Sequence, residues 1–196
     1  LSLHDALPIF MSLQNPLLGV LVGTVLTSLI QSSSVTVSIL LLMANQDLIG
    51  LDICLFIILG CNIGACATAL LASLSGKKDA KRAALIHFWF NVIGTVLIYI
   101  ILMFAMDPVI SMIQAISRDN GRFVANAHTI IKIFQVIVLF PFSNVIVKLA
   151  TVCVPGEDRK INYRESYQLK YIGEKVVFNP ATAVVEVDRK STRLNS

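Results

Sequence analysis

Gln31-Ser32-Ser33-Ser34 sets four consecutive polar side chains in the middle of a stretch, Asn15 to Gln46, that has no charged residue. Apolar runs flank it on both sides, Leu17 to Ile30 and Val35 to Met43. In hydrocarbon each unpaired hydroxyl or amide costs roughly 2–7 kcal/mol. A fold carrying this sequence must turn these groups toward protein, a cavity or a ligand, not toward lipid. The four residues are therefore the first candidates for a functional site.

The apolar arms are short. Asn15-Pro16 is a helix start, with Asn as cap and Pro at a position whose missing N–H costs nothing. Leu17 to Ile30 makes about 21 Å of helix, against a hydrocarbon core of about 30 Å. Val35 to Ala44 is shorter still. Two short arms about a polar centre predict a re-entrant hairpin or a broken helix shielded by protein. One straight helix from Leu17 to Met43 is the alternative.

The next unit repeats the theme. Ile53 to Gly60 runs into Cys61-Asn62-Ile63-Gly64, and Ala65 to Leu74 continues it. Gly60 and Gly64 bracket Asn62, a composition that suits local unwinding with exposed backbone groups. It equally suits close helix packing through Gly60, Gly64, Ala67 and Ala72. The residues alone leave both readings open.

With 56% hydrophobic and 14% charged residues, the chain is a membrane protein by class. Almost all of its charges lie in two loops and the last forty residues, so the net +4 points to cytoplasmic segments and not to nucleic acid. Cys54, Cys61, Cys66 and Cys153 lie in or beside apolar runs without metal-ligand spacing. They read as small buried hydrophobes, with neither a disulfide nor a metal centre expected. Leu85 to Met106 and Ile130 to Val152 are each long enough to span, the second kinked at Pro141. Lys77, Lys78, Lys81 and Arg82 oppose only Asp79 in one loop, whereas the loop from Asp107 to Asn126 is balanced. Positive-inside counting places the Lys77 loop and the tail in the cytoplasm and the intervening loop outside. His87, His128 and Lys132 are expected at helix starts near the interface, with Lys132 snorkelling.

The two ends, residues 1–9 and 188–196, resemble translated sequencing-adapter read-through and are set apart from fold reasoning. The remainder is expected to be an interior fragment. The charged tail from Glu157 to Val187 reads as soluble helix, with Leu169, Ile172, Val176 and Val177 on one face and a second start at Asn179-Pro180.

Gly23-Thr24-Val25-Leu26-Thr27-Ser28-Leu29-Ile30-Gln31-Ser32-Ser33-Ser34, followed by Leu59-Gly60-Cys61-Asn62-Ile63-Gly64, resembles the sodium/phosphate cotransporter family (type II, Na/Pi). The stretch from Ala83 to Asn91 is similar to the basic-loop-to-helix segment that follows these motifs. The resemblance implies an all-α polytopic membrane protein built from two inverted repeats. Residues 10–155 would be the second repeat and residues 156–187 the start of a cytoplasmic PhoU-like helical segment. It implies sodium-dependent symport of inorganic phosphate by alternating access, with sodium as the co-transported ion, no other cofactor and no enzymatic activity. The expected location is the plasma (inner) membrane, and the expected partners are phosphate, sodium, the lipid bilayer and the missing first repeat. Gln31, Ser32, Ser33 and Ser34 would supply sodium and phosphate ligands, and Asn62 with the backbone at Gly60 and Gly64 would complete this half of the site.

The chemistry agrees. Sodium is satisfied by neutral oxygens, and phosphate by hydroxyl donors and helix N-termini. Two departures from the family's pattern stand out: Ala65-Cys66 where two threonines are usual, and Ile131-Lys132 where Phe-Asn is expected. Val35 also replaces an alanine after the serines. The competing functions are a phosphate-sensing membrane protein without transport, and an intramembrane enzyme using Ser33, for which the local sequence offers no base.

Overall fold

The computed structural model describes residues 15–156, all within one compact unit. Both terminal segments read as foreign, and the tail read as PhoU-like, lie outside the described residues. Among the described residues the secondary structure is helical throughout. The elements are α1 (Pro16–Ile30), α2 (Ser33–Asn45), α3 (Leu51–Gly64), α4 (Cys66–Ser73), α5 (Lys78–Ala115), α6 (Asn120–Leu139), a 3-10 turn (Phe140–Phe142) and α7 (Ser143–Cys153).

Side-chain ties identify the two ends of the bundle. At one end the Asn45 carboxamide oxygen accepts from Gly121 N at 2.5 Å, and Asn120 donates to Asp47 at 2.8 Å. The α2–α3 and α5–α6 connections therefore lie together. At the other end Arg82 donates through Nε to Val154 O at 3.1 Å and through its guanidinium to Gly156 O, joining the start of α5 to the end of α7. α3 with α4, α5, and α6 with α7 run between these ends, and all three are long and apolar enough to cross a membrane.

α1 and α2 do not cross. Gly19 of α1 lies against Ile53 and Phe56, and Gly64 near the end of α3 lies against Thr24, Thr27 and Ser28, so α1 runs parallel to α3. α2 returns to the Asn45 end, so both arms open toward the same side. Of the expectations for this segment, the re-entrant hairpin is the one observed, and the single straight helix is not. The turn is made by Gln31 in the left-handed region (φ 56°) and Ser32 in extended backbone. Ser32 caps α2 by accepting from Val35 N at 3.4 Å.

The α1–α3 contact settles the two readings of the Gly60–Gly64 segment in favour of packing. α3 stays helical through Asn62 to Gly64, and a turn at Ala65 separates it from α4. A Cβ on Gly23 would run into the Ile57 carbonyl oxygen, and one on Gly60 into the Val20 carbonyl. Backbones this close let Thr24 Oγ1 donate to Gly60 O at 3.2 Å and Ser28 Oγ reach Gly64 O at 3.5 Å. Glycine makes the approach possible and the hydroxyls satisfy the carbonyls it exposes.

α5 is longer than the expected span. It starts at Lys78 and breaks at Ala105 (φ −135°, ψ 36°), three residues before Pro108, whose ring cannot share space with the carbonyl four residues back. The helix resumes to Ala115, so most of the segment expected as an outer loop, Asp107 to Asn126, is helical at both ends, and α6 starts at Asn120 under an Asp119 cap. Pro141 falls in the 3-10 turn between α6 and α7, the kink expected there. Cys54, Cys61 and Cys66 are buried, whereas Cys153 is exposed.

Candidate functional site

The hairpin tip organises itself through hydroxyls. Thr27 Oγ1 donates to Thr36 Oγ1 at 3.1 Å, and Thr36 Oγ1 donates to the Ser32 carbonyl at 3.2 Å. Both threonines are buried. This chain of bonds ties the last turn of α1 to the first turn of α2 across the break. The Gln31 N–H closes on Thr27 O at 2.7 Å, which holds a non-glycine residue in a backbone region costing about 1–3 kcal/mol. Ser32 and Ser33 are half-buried, while Gln31 and Ser34 are exposed. The N-terminus of α2, with its partial positive charge, opens at this point. Thr27→Val and Thr36→Val, singly and together, should show a coupling of about 1 kcal/mol in thermal unfolding. Additive losses would mean the two hydroxyls do not act as one link.

Asn62 lies on the helix beside the tip and is 1% exposed. Neither its side-chain nitrogen nor its side-chain oxygen has a hydrogen-bond partner among the described residues, so no side-chain bond joins it to Gln31–Ser34. Gly60 and Gly64, also buried, face α1, and their carbonyls already accept from Thr24 and Ser28. The structure thus brings the serines and the α1–α3 glycines to one level of the bundle, and leaves Asn62 orphaned within it.

A second polar group, not assigned to the site from sequence, lies next to Asn62. Cys66 Sγ approaches Asn62 O at 3.5 Å and accepts from Asn91 Nδ2 at 3.4 Å. Asn91 also donates to His87 O at 2.9 Å, and its carbonyl oxygen accepts from Lys132 Nζ at 3.0 Å. Gln135 Nε2 donates to Phe90 O at 2.9 Å and lies 3.5 Å from the same Asn91 oxygen, leaving Gln135 Oε1 buried and unpartnered. Gly94 makes room for this, since a Cβ there would strike the Gln135 side chain.

Lys132 is half-buried, and its ammonium lies within electrostatic range of Cys61, Cys66, His87 and His128. It stands twelve residues into α6, about 18 Å along the axis, so it is far from the helix start where snorkelling was expected. His87 and His128 likewise sit in the third turns of α5 and α6, not at their starts. The physical reason is that both helices begin earlier than their apolar runs. The signal was present in sequence as two polar stripes, His87-Asn91-Thr95 and His128-Lys132-Gln135, at spacings that share a helix face.

The sequence profile described as Na+/Pi-cotransporter matches residues 6–144. The chain belongs to this family. A protein of Bacillus subtilis, YqeW, is 33% identical over 139 residues, which cover 71% of this chain and 44% of that protein. Sodium-dependent phosphate transport protein 2C of mouse is 37% identical over 112 residues, 55% of this chain and 18% of its own length. The human 2B protein is 40% identical over 86 residues, 42% of this chain and 12% of its own. The chain therefore spans less than half the length of these relatives. No solved structure matches. Asn91 links the Cys66 thiol to the Lys132 ammonium, and so joins the two segments at which departures from the family's pattern were expected.

Proposed function

We propose that this chain forms one half of the binding site of a sodium-dependent phosphate symporter working by alternating access, the other half coming from a first repeat. The single observation that carries the reading is the re-entrant hairpin, whose capped break presents Gln31, Ser32, Ser33 and Ser34 beside the orphaned Asn62 at mid-depth of three crossing helices. Hydroxyl donors and the α2 N-terminus suit phosphate, and the Gln31 carbonyl and serine oxygens suit sodium. The carbonyls at Gly60 and Gly64 contribute by holding the hairpin. The sodium-dependent phosphate transport named for the mammalian relatives supports the substrate pair.

The proposed location is the plasma membrane, with the Lys77 connection and residue 156 on the cytoplasmic side. Residues 156–187 would then begin a cytoplasmic PhoU-like helical segment. The hairpin opens to the opposite side.

In vesicles containing the two-repeat protein, phosphate uptake is expected to follow a sodium gradient and to vanish when choline replaces sodium. Equal uptake in choline removes the coupling, and phosphate binding without any uptake favours a sensor. Ser33→Ala should weaken apparent phosphate or sodium affinity about tenfold, since a hydrogen bond to a charged ligand is worth roughly 1.5–3 kcal/mol. Wild-type uptake in that variant would mean that the serine only packs.

A further inference from the structure

We infer that the Lys132 ammonium is a built-in cation, held by a neutral carboxamide oxygen in a place that would otherwise hold a mobile monovalent cation. The inference rests on the symporter reading only in taking the ligand to be an anion that needs positive charge nearby.

A lysine at the centre of a membrane helix is costly and calls for a named partner. Here no carboxylate among the described residues serves. The acidic residues among the described residues, Asp47, Asp52, Asp79, Asp107 and Asp119, are all exposed. What surrounds the ammonium is neutral. Asn91 Oδ1 accepts from it at 3.0 Å, and that same oxygen lies 3.5 Å from the Gln135 amide. Gln135 Oε1 and Asn62 Oδ1 remain buried without a donor. One carboxamide oxygen binds the positive charge, two more carboxamide oxygens are buried nearby in the bundle without donors, and no acid among the described residues balances the charge. Neutral oxygens of this kind suit an alkali cation held without its hydration shell. The charge here is covalently attached to α6.

The consequence is electrical. A mobile cation enters and leaves with the substrate, whereas the lysine charge stays. Positive charge is thus available to the anion without one of the ions that would otherwise accompany it, and the transported complex carries one positive charge fewer.

The test removes the side chain and asks whether a free cation takes its place. Purified full-length protein is unfolded thermally across a sodium series balanced with choline, without phosphate. Lys132→Ala is expected to gain a sodium-dependent rise in midpoint, about 3 °C beyond any wild-type response at saturation. Methylammonium should produce a similar gain in Lys132→Ala and none in wild type. Lys132→Arg, which keeps the charge, should respond to sodium as wild type does. Should the alanine variant not fold, Lys132→Gln serves the same comparison. In vesicles, the steepness of uptake against sodium should increase by about one ion in the neutral variant. A neutral variant that folds and shows the wild-type sodium response overturns the inference, even where sodium-driven uptake is intact. A gained sodium response in a protein that never transports phosphate upholds the built-in cation and defeats the symporter reading instead.

Discussion

Replacing Gly60 with valine should eliminate the folded membrane bundle. A Cβ at this position would enter the space of the Val20 carbonyl oxygen and lie 2.7 Å from Thr24 N, so the obstacle is the backbone of α1. No side-chain rotamer relieves it. α1 must move away from α3, which breaks the Thr24 bond to Gly60 O and the Ser28 bond to Gly64 O together. Overpacking against adaptable side chains costs typically about 1–3 kcal/mol, and a rigid backbone obstacle reaches or exceeds the top of that range. The freed hairpin would then hold its polar tip against lipid. The measurement is the yield of monodisperse protein from detergent and its thermal midpoint, with Ala72→Val as the control, because Ala72 is exposed on α4. A Gly60→Val protein as stable as the control would show that the α1–α3 contact is not what holds the hairpin.

The second large effect is expected at Asn91. This one carboxamide accepts from Lys132, lies against Gln135, and donates to Cys66 and to the His87 carbonyl. Asn91→Leu strips the ammonium of its described hydrogen-bond acceptor and places an apolar group against it. Removing one partner of a buried charged interaction costs about 3–5 kcal/mol, more than the interaction itself contributes, because the remaining charge is left uncompensated. The effect should therefore depend on the lysine. Asn91→Leu combined with Lys132→Met should recover much of the lost thermal stability, whereas Asn91→Leu combined with a change at exposed Ile133 should recover none. Equal losses with and without Lys132 would mean that Asn91 matters for packing alone.

Much of this arrangement was legible from residue order. The short arms around Gln31–Ser34 pointed to a re-entrant hairpin or a broken helix because about 21 Å of helix does not cross about 30 Å of hydrocarbon, and Asn15-Pro16 marked the start. The helix limits were less legible. α5 and α6 extend beyond their apolar runs because Asp79, Asp119 and Asn120 are polar yet good at helix starts, so hydropathy alone ends each span too early. That error moved His128 and Lys132 to the interface, when both belong to the middle of a helix. The packing role of Gly60 and Gly64 was undecidable in sequence, since small residues serve close contact and unwinding equally. Only the facing Val20 and Thr24 backbone separates the two. Asn91 was visible merely as part of a family-like stretch; its four contacts bring together α4, α5 and α6, and no local pattern records that.

The hairpin also has a consequence for synthesis. α1 and α2 leave the ribosome before α3, yet α3 supplies the glycine-lined surface on which α1 rests. At about 5–20 residues per second the delay lasts only seconds, but during it the tip lacks the α3 surface on which the hairpin packs. The nascent chain must wait outside the lipid, or within the insertion machinery, until its later neighbour arrives. The order of emergence thus opposes the order of assembly, and a pause in translation just after Asn45 would prolong the interval in which this protein is most vulnerable to quality-control proteolysis.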